Sequence, residues 1–136
     1  MLVGAAGTYD PDRFAIGTAI DAAAVRIDGI GAGGAAPAEL GFAETDVIAL
    51  GGADGELLSV AEAAGTADSA AERAARHPDA LAEEMEGFAV AVAAGLFGVR
   101  LRIVRGASNR AGDRDHAAWR MAEALAAART RVLELA

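Results

Sequence analysis

The sequence predicts an α/β fold, and three observations carry that prediction. Glycine and proline cut the chain into short apolar runs that alternate with longer helical patterns. No internal repeat or long polar linker interrupts them, so a single domain over residues 1–136 is expected. From Ala80 onward the pattern reads strand, turn, helix, strand, loop, helix. Taken in order, residues 2–6 are a short apolar strand ending at Gly7, and residues 16–27 an extended stretch closed by Asp28 and Gly29. Residues 28–45 hold Gly29, Gly31, Gly33, Gly34, Pro37 and Gly41 and form a loop, after which residues 47–50 and 57–60 are short strands. Residues 66–76 read helical: Thr66 can cap the start, the interior is alanine-rich, and Arg73 and Arg76 suit the carbonyl end before His77-Pro78.

Residues 87–99 carry little charge and predict a buried helix, well short of the ~20 residues that span a bilayer. Leu101, Ile103 and Arg105 then alternate with Arg102 and Val104, the period of a strand, and deliver the chain to a loop at Gly106-Ala107-Ser108-Asn109. In the last helix Ala118, Met121, Ala122, Leu125, Ala128 and Val132 form an apolar stripe, so it is expected to cover one face of the sheet.

Composition narrows the function. Hydrophobic residues make up 54% of the chain but 38 of them are alanine, which leaves larger apolar side chains for one modest core. Twelve basic residues stand against 20 acidic ones, net −8, a balance that disfavours nucleic acid and anionic membrane surfaces because both are held by cationic contacts. All 12 cations are arginine, so Schiff-base lysine chemistry and a Walker-type phosphate lysine are excluded. Without cysteine there is no disulfide, thiol nucleophile or thiolate metal site. Residues 1–7 lack the basic flank of a signal peptide, so a cytoplasmic location is expected by default.

Gly29, Gly31 and Gly34, with Asp54 downstream, imitate a dinucleotide fingerprint, yet Ala35-Ala36-Pro37 leads into another turn where a helix should open. A plain glycine-rich loop is the better reading, and no cofactor is expected. His77 and His116 are too far apart for a zinc-binding helix, so no metal is expected. His77 precedes a proline at a helix end and His116 falls in the first turn of the last helix, both ordinary solvated positions.

Two polar clusters stand out. Glu83-Glu84-Met85-Glu86-Gly87 sets three carboxylates where an apolar strand turns into an apolar helix. Such acids either cap the helix through its free N–H groups or do chemistry from a partly buried position. Ser108-Asn109-Arg110-Ala111-Gly112-Asp113-Arg114-Asp115 lies between a strand and the last helix, where α/β sheets usually hold ligands. Its plainer reading is a capped loop, with Asp113 or Asp115 as the cap and Arg114 paired locally.

In this order, joined by one helix and one strand, the two clusters resemble the nucleoside phosphorylase and nucleosidase superfamily. Glu84-Met85-Glu86-Gly87 resembles its ribose-binding motif, and Val104-Arg105-Gly106-Ala107-Ser108-Asn109 the strand-end motif that recognises the base. More narrowly, Met85-Glu86-Gly87-Phe88 with Ser108-Asn109, Gly112, Arg114-Asp115 and Ala118-Trp119-Arg120 is similar to the futalosine hydrolases, which split hypoxanthine from a nucleoside in menaquinone biosynthesis.

The resemblance implies a three-layer α/β/α sandwich around a central mixed sheet, a purine nucleoside as substrate and a homo-oligomer. It implies cleavage of a ribosyl N-glycosidic bond through an oxocarbenium-like transition state. Glu86 then accepts from the ribose hydroxyls, Met85 packs on the sugar, Ser108 and Asn109 hold the purine, and Glu84 supports the main chain. Asp113 is the acid if the loop turns it toward the base. Asn109 stands where methylthioadenosine nucleosidases carry aspartate, and an amide that can donate to a 6-oxo group points away from adenine. Alternatives are a phosphate-dependent phosphorylase and a non-catalytic relative. The resemblance also sets residues 2–6 at an interior strand, so the N-terminal part of the family fold would precede Met1 and one edge of that strand would stand open.

Overall fold

The computed structural model describes residues 1–32, 35, 37–41 and 46–136. Six strands and three helices follow one another as β1 (Leu2–Thr8), β2 (Ala19–Ile27), β3 (Val47–Ala49), β4 (Asp54–Ser59), α1 (Ala67–Arg76), β5 (Ala80–Glu84), α2 (Gly87–Leu96), β6 (Ile103–Arg110) and α3 (Met121–Glu134), with a short 3-10 turn at Pro37–Leu40. Gly33 and Gly34 of the predicted loop lie outside the described residues.

The mixed α/β fold with a central sheet is as expected, but the sheet does not simply lie flat between helical layers. Its order is β3-β2-β4-β5-β1-β6, and β6 pairs back onto β2, so five strands close into a barrel-like ring with β3 attached outside. The closure follows from the length of β2. Its first residues, Ala19 to Asp21, pair antiparallel with β6 from Gly106 to Val104, while Ala24 to Arg26 pair with β3 and residues 22–27 run parallel to β4. β1 runs parallel to β6 along its whole length, with an irregularity between Ala6 and Gly7. On its other edge the antiparallel register with β5 covers Gly7 and Thr8.

The core inside the ring gathers Phe14, Val25, Leu57, Phe88, Ile103 and their neighbours. Each helix meets the sheet more narrowly than its sequence suggested. α2 buries only Gly87, Phe88 and Ala91, while Leu96 and Phe97 beyond them are 81% and 83% exposed. α3 starts at Met121, five residues after His116, and of the predicted stripe it buries Ala128, joined by Ala124, while Met121 and Leu125 are exposed. The cause is close approach: a Cβ on Gly106 would sit 2.0 Å from the Ala124 carbonyl oxygen, so the helix touches β6 where only small residues fit.

The α1 boundaries agree with the sequence. Thr66 accepts the Ser69 N–H at 3.1 Å and the Ser69 hydroxyl side reciprocates, a capping box. The histidine at its end is not solvated as expected: His77 Nε2 lies 2.8 Å from Asp28 Oδ1, and Arg73 and Arg76 converge on the same carboxylate. β6 also corrects the sequence reading, since residues 106–109 continue the strand rather than opening a loop.

Candidate active site

The parallel pairs β4–β5 and β1–β6 meet where β5 and β1 run antiparallel, and polar side chains of β5 and β6 there line a cleft of about 190 Å³. β5 contributes two carboxylates that the fold buries almost completely, Glu83 at 5% and Glu84 at 4% exposure. Burying a charge is costly unless it is paired and hydrogen-bonded, and both are. Glu83 accepts from Arg73 Nη1 at 2.6 Å, from the Tyr9 hydroxyl at 3.1 Å and from the Ala64 N–H at 2.8 Å. Burial first, and then the Glu83 charge, push the Tyr9 hydroxyl well above its usual pKa, so Tyr9 remains a donor.

Glu84 is held more tightly still. The Gly87 N–H donates to both of its oxygens at 2.9 and 2.8 Å, the Glu86 N–H donates at 3.2 Å, Arg105 Nη2 at 2.5 Å, and the Ser59 hydroxyl completes the set. A Cβ on Gly87 would stand 2.8 Å from Glu84 Oε1, which is why glycine opens α2 under this carboxylate. Ser59 in turn accepts the Phe88 N–H at 2.8 Å. The first turn of α2 is therefore capped from a distance by β4 and β5.

The capping reading of the acidic run holds for Glu84, and Glu86 is placed differently. Glu84 caps; Glu86, at the N-cap position, makes no capping bond with its side chain, which is 64% exposed and faces the cleft. The two are coupled through Arg105, whose Nη2 also reaches Glu86 Oε2 at 3.0 Å. Arg105 is 2% exposed and occupies the space left by Gly4, where a Cβ would come within 2.6 Å of Nη1. The exposed carboxylate is thus oriented by a buried guanidinium that is itself anchored by a buried carboxylate. Sequence reasoning missed Arg105 as a site residue. The available signal was its place on the same strand face as Leu101 and Ile103, where a charge must have a partner.

On β6, Ser108 and Asn109 are 3% and 8% exposed and line the same cleft. The Ser108 hydroxyl lies 2.7 Å from Asn109 Oδ1 and 3.3 Å from the Ala6 carbonyl, and Asn109 Nδ2 donates to the Arg110 carbonyl at 2.9 Å. One N–H of the amide is left for a ligand. Met85 completes the predicted set in the cleft wall.

Asp113 does not join them. Its Oδ1 accepts the Asp115 N–H at 2.9 Å, and Asp115 in turn accepts from Ala117 at 3.1 Å, so the two aspartates close turns ahead of α3. Arg114 and Trp119, quoted for the resemblance without a role in the site, both line the cleft. Among the described residues Arg114 pairs with no carboxylate; its guanidinium carbon lies over the Trp119 ring, 5.4 Å from the centroid. Asp54, at the other end of the imitated dinucleotide pattern, bonds the Asp21 N–H and Arg131 and so ties β2 to α3.

No protein-family model matches the chain. Among characterised proteins it is 50% identical over 88 residues to the futalosine hydrolase of Streptomyces coelicolor, covering 65% of this chain and 37% of that protein. It is 46% identical over 71 residues to the futalosine hydrolase of Acidothermus cellulolyticus, covering 52% and 29%. The matched region is therefore well under half the length of either relative. Among solved structures, the methylthioadenosine/S-adenosylhomocysteine nucleosidase of Colwellia psychrerythraea in complex with adenine superposes with a TM-score of 0.80 at 19% identity, over 98% of this chain and 64% of that one. The native futalosine hydrolase of Helicobacter pylori gives 0.74 at 19% identity, over 97% and 63%. The fold is shared with these solved structures, and over the matched region the sequence is similar to the futalosine hydrolases.

Proposed function

We propose that the protein acts on a purine nucleoside as a nucleosidase of the futalosine hydrolase type, breaking the ribosyl N-glycosidic bond. The observation that carries this reading is the convergence of Glu86, Met85, Ser108 and Asn109 on one cleft, with Glu86 aimed by Arg105. Glu86 accepts from the 2′ and 3′ hydroxyls of ribose. As the glycosidic bond lengthens, its negative charge favours the cationic sugar, and a carboxylate already oriented need not reorganise at that moment. Met85 supplies an apolar surface to the sugar. The free N–H of Asn109 donates to a 6-oxo group, which selects hypoxanthine-type over adenine-type bases. Glu84 supports the site from beneath and does not touch the substrate. Asp113, committed to its own turn, takes no part in proton transfer. A homo-oligomeric assembly and a place in menaquinone biosynthesis rest on the family resemblance.

Calorimetry with inosine and adenosine tests the assignment. Hydrogen bonds to a charged group are worth about 1.5–3 kcal/mol, so Glu86→Gln is expected to weaken inosine binding roughly ten- to hundredfold. Asn109→Asp is expected to erode the preference for inosine. Unchanged inosine affinity in the first variant, or an unchanged preference in the second, refutes the corresponding role. Where turnover is measured, release of free hypoxanthine without added phosphate distinguishes hydrolysis from phosphorolysis.

A further inference from the structure

We propose that Arg73 is a positioning residue for the ligand: from behind the cleft it holds the irregular segment 61–65 that forms one wall, and together with Glu83 it sets how tightly a nucleoside binds. The inference rests on the nucleoside reading above and adds to it a determinant that touches no part of the substrate.

The wall needs holding. Residues 61–65 lie between β4 and α1, outside the regular hydrogen bonding of both, yet Ala63 and Ala64 line the cleft. Two hydrogen bonds, one on each side of Ala63, fasten this backbone to a single ion pair. The Ala64 N–H donates to Glu83 Oε1 at 2.8 Å, and Arg73 Nη2 donates to the Glu62 carbonyl at 3.0 Å. Arg73 Nη1 closes the circuit onto Glu83 Oε2 at 2.6 Å. Tyr9 braces the arrangement, since its hydroxyl donates to the same Glu83 oxygen at 3.1 Å and its ring packs on the small apolar cluster that contains Ala64.

A guanidinium suits this task in a way that a simpler cation does not. Its third nitrogen, Nε, donates to Asp28 Oδ2 at 3.1 Å, so each nitrogen of the planar fork has an acceptor from a different segment: the residue after β2, strand β5 and the β4–α1 connection. Arg73 is not among the residues that line the cleft, so whatever it contributes to a ligand it contributes through the wall. Without it, Glu83 is a buried charge that has lost its cation, and the carboxylate that holds Ala64 is free to turn away. The wall then visits other positions, and a ligand that fits only one of them binds in proportion to the time that position is occupied.

The test is calorimetry of inosine binding to the full chain and its variants, with urea unfolding of each to measure stability. Arg73→Gln is expected to weaken inosine binding about tenfold, as for a wall in place roughly a tenth of the time. Arg73→Lys, which keeps the cation without the fork, is expected to lose roughly threefold. Arg73→Gln combined with Glu83→Gln leaves no bare charge and lets the two amides bond one another, so it is expected to recover part of the affinity lost by Arg73→Gln alone. Val25→Ala is the control: it opens a cavity in a core cluster separate from the one beneath the wall, and it is expected to lower stability while leaving inosine affinity unchanged. In hydrogen exchange the Ala64 amide is expected to exchange faster in Arg73→Gln and at its original rate in Val25→Ala. Where Arg73→Gln does not fold, Arg73→Lys and the double replacement carry the same comparison. Inosine affinity that stays within about a factor of two in every folded Arg73 variant overturns the proposal. A loss that Val25→Ala reproduces at equal cost in stability also overturns it, because affinity then merely follows stability. In both cases the unmodified chain still binds inosine and the nucleosidase reading stands, whereas an unmodified chain that binds no inosine refutes that reading and this inference with it.

Discussion

Two acidic segments flank the cleft, and the fold uses them in opposite ways. At the β5–α2 junction, Glu83 and Glu84 lie inside the protein and each is held by several donors from other elements. At the β6–α3 connection, Asp113 and Asp115 are exposed and each bonds an N–H two residues along the chain. The first arrangement ties β4, β5, α1, α2 and β6 together and, through Arg105, holds Glu86 at the cleft. The second shapes one loop. A carboxylate near a cleft is therefore informative only together with what holds it.

The largest effect that contrast predicts is at Glu84. Replacing it with glutamine preserves the shape but leaves Arg105 with a buried charge and its main partner gone, which typically costs about 3–5 kcal/mol. Glu86→Gln, at a position with 64% side-chain exposure, is expected to change stability by no more than about 0.5 kcal/mol, its effect falling on ligand binding instead. Urea unfolding of the two variants side by side checks this. Equal loss of stability in both would erase the distinction between anchoring and presented carboxylates.

These particular residues also mark what the sequence could and could not reveal. The strands, the Thr66 cap and the two clusters were legible because they depend on local chemistry: periodicity, capping side chains and short motifs. The closed ring was not, because it depends on β2 finding β6 more than 80 residues away, as Ala19 pairs with Gly106. The buried face of α3 was misplaced for a related reason. Hydrophobicity favoured Met121 and Leu125 beside Ala128, whereas close approach at Gly106 put Ala124 against the sheet. In the site, the acidic run was visible, but assigning capping to Glu84 and presentation to Glu86 required Ser59 and Arg105, which come from different strands.

A smaller effect comes from the far end of the Glu83 network, where Arg73 links Glu83 to Asp28. Burial alone would raise the Asp28 pKa, but the His77 hydrogen bond and the charges of Arg76, His77 and Arg73 outweigh it and hold the carboxyl below its ordinary 3.8. A folded-state pKa below the unfolded value means that the contribution to stability is present above that ordinary value and is lost as pH falls through the depressed one. The urea midpoint should therefore decline in that acid range, and Asp28→Asn should flatten this part of the decline. A variant with the same acid slope as the unmodified chain would show that Asp28 gains nothing from its neighbours.

The smallest expected effect is the one that could overturn the contrast from the other side. Asp113→Ala removes a single side-chain acceptor for the Asp115 N–H, a loss comparable to that of a helix cap, about 1 kcal/mol or less at an exposed turn. The indole of Trp119 should keep its place, because Nε1 donates to the main-chain carbonyl of residue 113, which the substitution retains. Inosine affinity measured by calorimetry should then stay within about a factor of two of the unmodified chain, since the lost bond is worth at most ~1 kcal/mol and is spent on the turn. A large fall in affinity with the fold intact would mean that the Asp113 carboxylate leaves its turn when ligand binds and turns toward the base. The β6–α3 loop would then supply chemistry as well as shape.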